Sequence, residues 1–248
     1  MSKLVLVTGA SRGIGAATAL LAARQGYTVA VNYSANSLAA DDVARQIRQA
    51  GGQAMTLRAD VSNEAQVVAM FEKIDAKFGR VTALVNNAGI VDQTARVDAM
   101  TLQRLQRMFE VNVFGSFLCA REAVKRMSTR YGGAGGSIVN VSSAAARLGS
   151  PGQYVDYASA KGAIDSFTLG LAREVADEGI RVNAVRPGII DTGIHASGGL
   201  PDRAREVASQ LPMRRAGSAE EVAESIVWLL GDGASYSTGA LLDVAGGR

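Results

Sequence analysis

Short runs of apolar, often β-branched residues alternate along this chain with longer, alanine-rich segments whose apolar positions recur at helical spacing. The short runs predict strands at 4–8, 28–33, 54–59, 83–86, 137–142, 181–186 and 240–244. The longer segments predict helices at 13–25, 37–50, 63–78, 101–130, 152–178, 201–210 and 218–231. Strands that alternate with helices form a parallel sheet with helices on both faces. We therefore predict an α/β fold, with seven strands in a doubly wound parallel sheet.

The pattern shows no boundary between domains. The chain has four prolines, and its glycine-rich stretch at 132–136 is short enough for a turn between a helix and a strand. We therefore expect one domain over residues 1–248. The least regular segment is 188–217, where glycines and prolines interrupt the helical pattern. Such an insertion near the carboxyl ends of the strands predicts a lid over the substrate site.

Composition and charge exclude several classes of function. The 26 basic and 23 acidic side chains leave a net charge of +3, with no basic stripe of the kind that binds nucleic acid. One cysteine, Cys119, and one histidine, His195, cannot build a Cys/His metal cluster, so we expect no metal. His195 is expected to contact solvent or substrate rather than act as a base. No segment has the roughly 20 apolar residues of a membrane span, and no signal sequence is evident, so we expect a cytoplasmic protein.

A glycine-rich turn, TGASRGIG at 8–15, follows the first predicted strand and opens the first predicted helix. At this place free backbone N–H groups and the positive end of the helix dipole bind the pyrophosphate of a dinucleotide. The glycines Gly9, Gly13 and Gly15 leave room for that approach. Their spacing differs from the commoner Gly-x-Gly-x-x-Gly, and a purely structural turn is the other interpretation. With the predicted sheet, the turn favours a Rossmann-type nucleotide-binding fold.

The end of the second predicted strand bears on the choice of cofactor. An NAD enzyme ordinarily has a carboxylate there for the adenine ribose, but residues 32–34 read NYS. Arg12, together with Asn32 and Ser34, could instead bind a 2′-phosphate. The alternative for Arg12 is a solvated surface charge. The pattern predicts NADP, with NADPH preferred and NAD still possible.

Tyr157 and Lys161 are four residues apart in a predicted helix and share one of its faces. Ser142 and Ser143 close the fifth predicted strand, at the carboxyl edge where open α/β sheets bind ligands. A phenol has a pKa of about 10, so a tyrosine acts as an acid or base near neutrality only if a cation stabilises its anion. Alone, such a Tyr/Lys pair is more often an exposed amphipathic pair. The neighbouring motifs favour a catalytic site, because NNAG at 86–89 and PG at 187–188 also follow predicted strands.

Together these motifs resemble those of the short-chain dehydrogenase/reductase family, and the resemblance covers residues 2–248. It implies the strand order 3-2-1-4-5-6-7 and a catalytic group of Asn112, Ser143, Tyr157 and Lys161. Ser143 is preferred to Ser142 because the family's serine is usually the second of such a pair. The predicted cofactor contacts are Gly9, Ser11, Arg12, Gly13, Ile14, Gly15, Asn32, Ser34, Asp60, Val61, Asn87, Ala88, Gly89, Tyr157, Lys161, Pro187, Gly188, Ile190 and Thr192.

The resemblance implies an NADP(H)-dependent oxidoreductase that transfers a hydride between nicotinamide and a small carbonyl or alcohol compound, with sugars among the candidate substrates. Tyr157 would exchange the hydroxyl proton and Ser143 would hold the carbonyl oxygen. Lys161 would lower the tyrosine pKa and hold the nicotinamide ribose, and Asn112 would order a water relay. A 3-oxoacyl-carrier-protein reductase is the alternative. A catalytically silent nucleotide sensor is an alternative of another class, which the complete catalytic group disfavours.

Two further expectations concern partners. The resemblance implies a homotetramer assembled through 101–130, 152–178 and the last strand, whose apolar residues include Val113, Phe114, Phe117, Ile164, Phe167 and Leu171. Reductases of carrier-bound acyl chains usually have a basic residue on the loop after the tyrosine helix, where it attracts the acidic carrier. Here that loop contains Asp177 and Glu178. The charge favours a free substrate, and no partner other than that substrate and further copies of the chain is expected.

Overall fold

A computed structural model describes residues 3–193, 198–200 and 202–248 of the protein. Its sheet comprises β1 (Leu4–Val7), β2 (Thr28–Tyr33), β3 (Ala54–Arg58), β4 (Ala83–Asn86), β5 (Gly136–Val141), β6 (Ile180–Pro187) and β7 (Leu241–Val244). Every neighbouring pair is parallel, in the order β3-β2-β1-β4-β5-β6-β7. The predicted doubly wound fold and its strand order are confirmed.

Most helices lie where the pattern predicts them, but the described part of the predicted helix at 201–210 contains only a four-residue helix and a 3₁₀ turn, and a short helix at Ala145–Leu148 was not predicted. They are α1 (Gly13–Arg24), α2 (Ser37–Gln49), α3 (Glu64–Phe78), α4 (Leu102–Phe109), α5 (Gly115–Met127), α6 (Ala145–Leu148), α7 (Val155–Glu174), α8 (Arg203–Glu206) and α9 (Ala219–Leu230). Single 3₁₀ turns lie at Val97–Ala99, Thr129–Tyr131, Ala176–Glu178, Ala208–Gln210 and Asp232–Ala234. No helix in the described part of the chain is long and apolar enough to cross a bilayer.

Side chains of each central strand alternate between two apolar layers, one on each face of the sheet. Val5 and Val7 face the layer built with α1, α2 and α9. Leu4 and Leu6 face the opposite layer, built with α3, α5 and α7. Both faces are therefore covered, which explains why these strands are apolar at consecutive positions. Each fully buried aliphatic side chain of this kind contributes about 1.5–3 kcal/mol.

The predicted helix at 101–130 is interrupted. A π-helical turn, Glu110–Phe114, separates α4 from α5. Within it, the Asn112 side-chain amide donates to the Met108 carbonyl (3.0 Å), four residues earlier. A side chain that binds this carbonyl competes with the backbone N–H that an α-helix would place there. The interruption puts Asn112 at a fixed position beside the carboxyl edge of the sheet.

The two ends of the predicted lid, 188–217, lie next to each other. Asp191 donates its backbone N–H to Gly217 (2.9 Å), and Gly217 donates to Ile189 (3.0 Å), so the two ends of the segment are joined at its base. Residues 194–197, which include His195, and residue 201 lie outside the described residues. The role of the segment as a lid stays a prediction.

Candidate active site

The glycine-rich turn after β1 adopts a conformation that requires its glycines. Gly9 and Gly13 have φ angles of +61° and +56°, in the left-handed region. A Cβ on Gly15 would lie 2.4 Å from the Asn87 amide nitrogen. That nitrogen donates to the carbonyls of Thr8 (2.9 Å) and Gly9 (3.0 Å). The segment after β4 therefore holds the turn against the sheet, and Asn87 positions it.

The turn ends at the N-terminus of α1, which has no side-chain cap and no acidic residue in its first turn. The backbone N–H groups of the first turn therefore remain available to an anion, and the helix dipole favours one there. A Cβ on Gly13 would meet Thr192 at 3.5 Å, so this N-terminus faces the segment after β6 across the cleft. These residues fit the pyrophosphate of a nicotinamide dinucleotide.

Asn32 differs from its predicted role. Its side chain is 1% exposed. Its Oδ1 accepts from the Gly9 backbone N–H (3.1 Å), and its Nδ2 donates to the carbonyls of Leu57 (3.2 Å) and Ala59 (3.1 Å). The amide thus ties β2 to β3 and to the glycine turn. It is not open to a cofactor phosphate, because its hydrogen-bonding atoms are directed to backbone inside the sheet; the exposed groups at this corner are Arg12 and Ser34.

Asp60 and Val61 follow β3, as predicted. Burial alone would raise the pKa of the Asp60 carboxyl, but hydrogen bonds from Ser62 and Arg107 outweigh burial and lower the pKa. Oδ1 accepts from the Ser62 hydroxyl (2.7 Å), and Oδ2 accepts from Arg107 (3.1 Å). Val61 is buried where a Cβ on Gly115 would meet it at 2.6 Å. Asp60 is therefore a fixed, ionised carboxylate at the edge of the sheet.

The two serines after β5 have different environments. Ser142 is buried and donates its hydroxyl to the Lys161 backbone carbonyl (3.2 Å). Ser143 is less buried, accepts the Ala145 backbone N–H (3.1 Å), and lies near enough to Tyr157 to lower the pKa of the phenol. The geometry thus pairs Tyr157 with Ser143, the serine that the sequence resemblance selects.

Lys161 lies one helical turn after Tyr157, with its Nζ 5.7 Å from the centroid of the tyrosine ring. The ammonium donates to the Val141 carbonyl at the end of β5 (2.7 Å). Burial lowers the pKa of Lys161 to about 8, against the opposing effect of the nearby Asp165 carboxylate. The amine is therefore mainly charged at neutral pH but close to its titration range.

The pKa of Tyr157 moves in the direction opposite to the expectation from sequence. Burial raises the pKa above its ordinary value, and the nearby Ser143 side chain lowers it only in part. The physical reason is that the phenolate would lose its hydration in this cleft, which the surrounding protein alone does not offset. The phenol is therefore protonated at neutral pH, which is the form that can donate a proton to a carbonyl oxygen.

Asn112 is fully buried, and both the oxygen and the nitrogen of its side chain form hydrogen bonds with backbone groups. Oδ1 accepts from the Ile90 N–H (3.1 Å), while Nδ2 donates to the Ile90 carbonyl (3.0 Å). A Cβ on Gly89 would lie 2.8 Å from Asn112 Oδ1 and 3.6 Å from Lys161 Nζ. Asn112 thus fixes the segment after β4 directly beside the lysine. Any larger residue at Gly89 would displace one of the two.

A cavity of about 990 Å³, partly open to solvent, brings part of the predicted site together. The predicted residues that line it are Ile14, Asn87, Gly89, Ser143, Tyr157, Lys161, Pro187, Gly188, Ile190 and Thr192. The lining residues that sequence reasoning missed include Val91, Leu148, Ser150, Tyr154, Ile189, Arg203 and Arg248. Of these, Tyr154 carried a usable signal, since it precedes Tyr157 by three residues. The arginines carried none.

Comparison with known proteins identifies the relatives of this chain. A family described as "Enoyl-(Acyl carrier protein) reductase" matches residues 9–248. The chain is 60% identical to the Uncharacterized oxidoreductase YgfF of Escherichia coli (strain K12), over 99% of both proteins. It is 42% identical to a cis-4-hydroxycyclohexanecarboxylate dehydrogenase of Sinomonas cyclohexanicum, and 40% identical to a 3-oxoacyl-(acyl-carrier-protein) reductase of Synechocystis sp. (strain ATCC 27184 / PCC 6803 / Kazusa), in each case over 99% of this chain and 96% of the relative.

A solved structure gives the same result. A mutant short-chain dehydrogenase/reductase of Serratia marcescens superposes with a TM-score of 0.90 and 33% identity, covering 99% of this chain and 97% of that one. The fold and the relatives agree over residues 9–248. The chain belongs to the short-chain dehydrogenase/reductase family, and it is an oxidoreductase that acts on CH–OH or C=O groups with a nicotinamide cofactor.

Proposed function

We propose that this protein is an NADP(H)-dependent reductase of small, free carbonyl compounds. The observation that carries the proposal is the placement of the Ser143 hydroxyl beside the Tyr157 phenol, in a cavity that extends from Ile14 of the glycine turn to Thr192. Two hydroxyl groups that converge on one point can bind and protonate a single carbonyl oxygen. The cavity brings that point beside the residues that fit the cofactor.

Each residue has a distinct role in this proposal. The bound nicotinamide supplies the hydride for the carbonyl carbon. Ser143 donates a hydrogen bond to the carbonyl oxygen, and Tyr157 Oη gives that oxygen its proton. The Lys161 ammonium stabilises the negative charge left on Tyr157, and Asn112 holds Gly89 and Ile90 against the lysine. Asn112 can assist a water relay only through its backbone carbonyl, because its side-chain atoms are already bound.

The preference for NADP(H) rests on the corner beside the glycine turn. The exposed groups there are Arg12, at the start of α1, and Ser34, after β2. No carboxylate stands at the end of β2 to bind a ribose hydroxyl or repel a 2′-phosphate. A guanidinium binds a phosphate with charge-assisted hydrogen bonds. These features support NADPH over NADH.

The acidic loop that favoured a free substrate lies too far from the site to carry that argument. Tyr157 is in the first turn of α7, and the loop Ala176–Glu178 follows the other end of this 20-residue helix. At about 1.5 Å per residue, the two are about 28 Å apart along the helix axis. Glu178 also pairs with Arg130 (3.7 Å). Within one protomer, the loop does not border the cavity, so the substrate proposal depends on the cavity itself.

A 3-oxoacyl-carrier-protein reductase is the second candidate. The description of the matching family and the Synechocystis relative favour it. The Sinomonas relative, at nearly equal identity, is named for a free hydroxycarboxylate. Identity alone therefore does not select between carrier-bound and free substrates, and a direct assay is needed.

The apolar surface supports a homotetramer. Phe114 and Phe117, beside α7, are 55% and 45% exposed, and Phe117 stacks on Phe167 with ring centroids 3.8 Å apart. A second group comprises Trp228, Tyr236 and Leu242, near α9 and β7. Val113 and Ile164, also expected at the interface, are instead buried within the protomer. Two separate exposed apolar surfaces suit an assembly with two kinds of interface.

The test is NADPH oxidation with a panel of aldehydes, diketones and sugar-derived ketones, with an acetoacetyl group offered on carrier protein and on a neutral thiol. Tyr157→Phe should lower kcat at least about a hundredfold while NADPH still binds. Tyr131→Phe, at an exposed position outside the cavity, is the matched control and should retain full activity. NADPH binding without turnover of any compound would instead support the nucleotide sensor. A large preference for the carrier-bound group, lost at high salt, would support the second candidate.

A further inference from the structure

Two guanidinium groups line the wall of the active-site cavity. Arg203 belongs to α8 and Arg248 follows β7, yet both line the same cavity as Ser143, Tyr157 and Lys161. Among its described lining residues there is no aspartate or glutamate, and the main-chain oxygen of Arg248 accepts a hydrogen bond from Arg147 (2.7 Å), which lies outside the lining. The space in which a substrate would lie is therefore electropositive beyond what the lysine alone supplies.

Neither arginine is neutralised within the described ranges. Arg203 donates to the neutral Gln153 side-chain oxygen (2.7 Å). In the part of the chain that the structure describes, neither Arg203 nor Arg248 forms an ion pair, whereas other arginines of the same region do. These paired arginines, with their partners, are Arg147 with Asp243, Arg186 with Asp165, and Arg205 with Asp202.

Holding Arg203 and Arg248 at one cavity costs free energy when no ligand is bound. Burial, and after it the proximity of Arg203, lower the pKa of Arg248. Two like charges that face one cavity repel each other, and an anion between them would remove that repulsion. Guanidinium groups bind carboxylates through paired, charge-assisted hydrogen bonds. The pair has the chemistry of an anion site.

The rest of the cavity wall indicates what kind of molecule carries the anion. Val91, Leu148, Tyr154 and Ile189 offer it an apolar surface. The Arg203 guanidinium lies 5.7 Å from the centroid of the Tyr154 ring. Tyr154 precedes Tyr157 by almost one helical turn, which is about 5 Å along the axis. The anionic group is thus separated from the reacting carbonyl by an apolar stretch of several bonds.

We propose that the substrate is an oxo acid, in which a carboxylate held by Arg203 and Arg248 is separated from the reacting ketone by an apolar segment. The inference rests on the proposed function of Ser143 and Tyr157. Reduction adds a hydride to the ketone carbon and the Tyr157 proton to its oxygen, and the carboxylate does not react. The two arginines bind and orient the substrate.

The test compares each free acid with its uncharged methyl ester, using NADPH and the series 4-oxopentanoate, 5-oxohexanoate and 6-oxoheptanoate. The unmutated protein should show kcat/KM at least about tenfold higher for one or more acids than for their esters, as expected for charge-assisted hydrogen bonds. Arg203→Gln and Arg248→Gln should each reduce this acid-to-ester ratio. Arg205→Gln removes a neighbouring exposed arginine of α8 that does not line the cavity, and it should leave the ratio unchanged.

The outcomes separate this inference from the proposed function. If the esters are reduced as well as or better than every acid, the oxo-acid inference is wrong while the reductase function stands. If neither series is turned over, the proposed function fails for these ketones. Calorimetric titration of the same acids and esters then decides the inference, because binding requires no reaction, and equal or absent binding of the acids overturns it. A strong preference for a carrier-bound acyl group over every free acid would also overturn it.

Discussion

Replacing Lys161 with methionine should abolish most activity and remove a pH-dependent cost in stability. The lysine is 5% exposed, and burial lowers its pKa from 10.5 to about 8. One pKa unit corresponds to about 1.4 kcal/mol, so the charged amine destabilises the folded state by about 3 kcal/mol at neutral pH. Methionine has a similar length and no charge. The substitution also removes the hydrogen bond that Lys161 donates to the Val141 carbonyl, and this loss costs about 1–3 kcal/mol of stability. The net gain in stability at pH 7 is therefore small.

The direction of the pH dependence follows from linkage. Below a pH of about 8 the lysine is protonated in both folded and unfolded states, and the full cost is present. Between about 8 and 10.5 the folded protein releases the proton first, so the unfolded state binds more protons and stability rises with pH. The stability of unmutated protein relative to Lys161→Met should therefore increase by about 2 kcal/mol from about pH 7 to about pH 9.5.

The assay is urea unfolding of cofactor-free protein at both pH values and one protein concentration, so that association affects all samples equally. Lys73→Met, at an exposed position on α3, is the matched control and should show no pH-dependent difference from unmutated protein. A constant difference between unmutated protein and Lys161→Met at the two pH values would refute the reasoning. It would mean that water or structural relaxation already hydrates the amine in the folded state.

Three further outcomes are expected. Arg12→Ala should raise KM for NADPH about tenfold or more and change that for NADH little, as expected for a lost contact to a phosphate; equal effects on both cofactors would contradict the NADP assignment. Alcohol oxidation should accelerate with increasing pH, because the raised pKa of Tyr157 keeps the required base protonated near neutrality. Carbonyl reduction should instead slow above about pH 8, because Lys161 then loses its proton. Parallel pH profiles for the two directions would count against these roles. Sedimentation should show a tetramer that Phe117→Asp dissociates, and a monomeric unmutated protein at micromolar concentration would exclude that assembly.

The sheet could be predicted closely because its strands are buried on both faces. Segments such as β1, LVLV, have apolar residues at every position, and nearly all helices fall between strands in the predicted places. The break before α5 could not be predicted, because it depends on Asn112 finding Ile90 and Met108 in the folded chain. Helical periodicity around residue 112 is the same with or without that contact.

Asn32 shows why a motif position does not fix a role. It lies at the strand end where a cofactor ribose contact is expected, and a polar residue there suits that task. The side chain instead turns into the sheet, where its amide meets backbone atoms of Gly9, Leu57 and Ala59. The direction of a side chain at the end of a strand depends on neighbouring backbone that a single sequence does not display.

Residues proposed to act in the reaction are easier to identify from the sequence than residues proposed to bind the substrate. The proposed proton donor and its lysine lie one helical turn apart, so the spacing of Tyr157 and Lys161 is visible in the sequence. The groups that bind the rest of a substrate come from loops and chain ends, where convergence depends on the fold alone. Arg203 and Arg248 come from such segments and meet only at the cavity. The motifs that carry the family resemblance, this spacing among them, were therefore visible in the sequence, whereas the charge that would select an oxo acid required the folded structure.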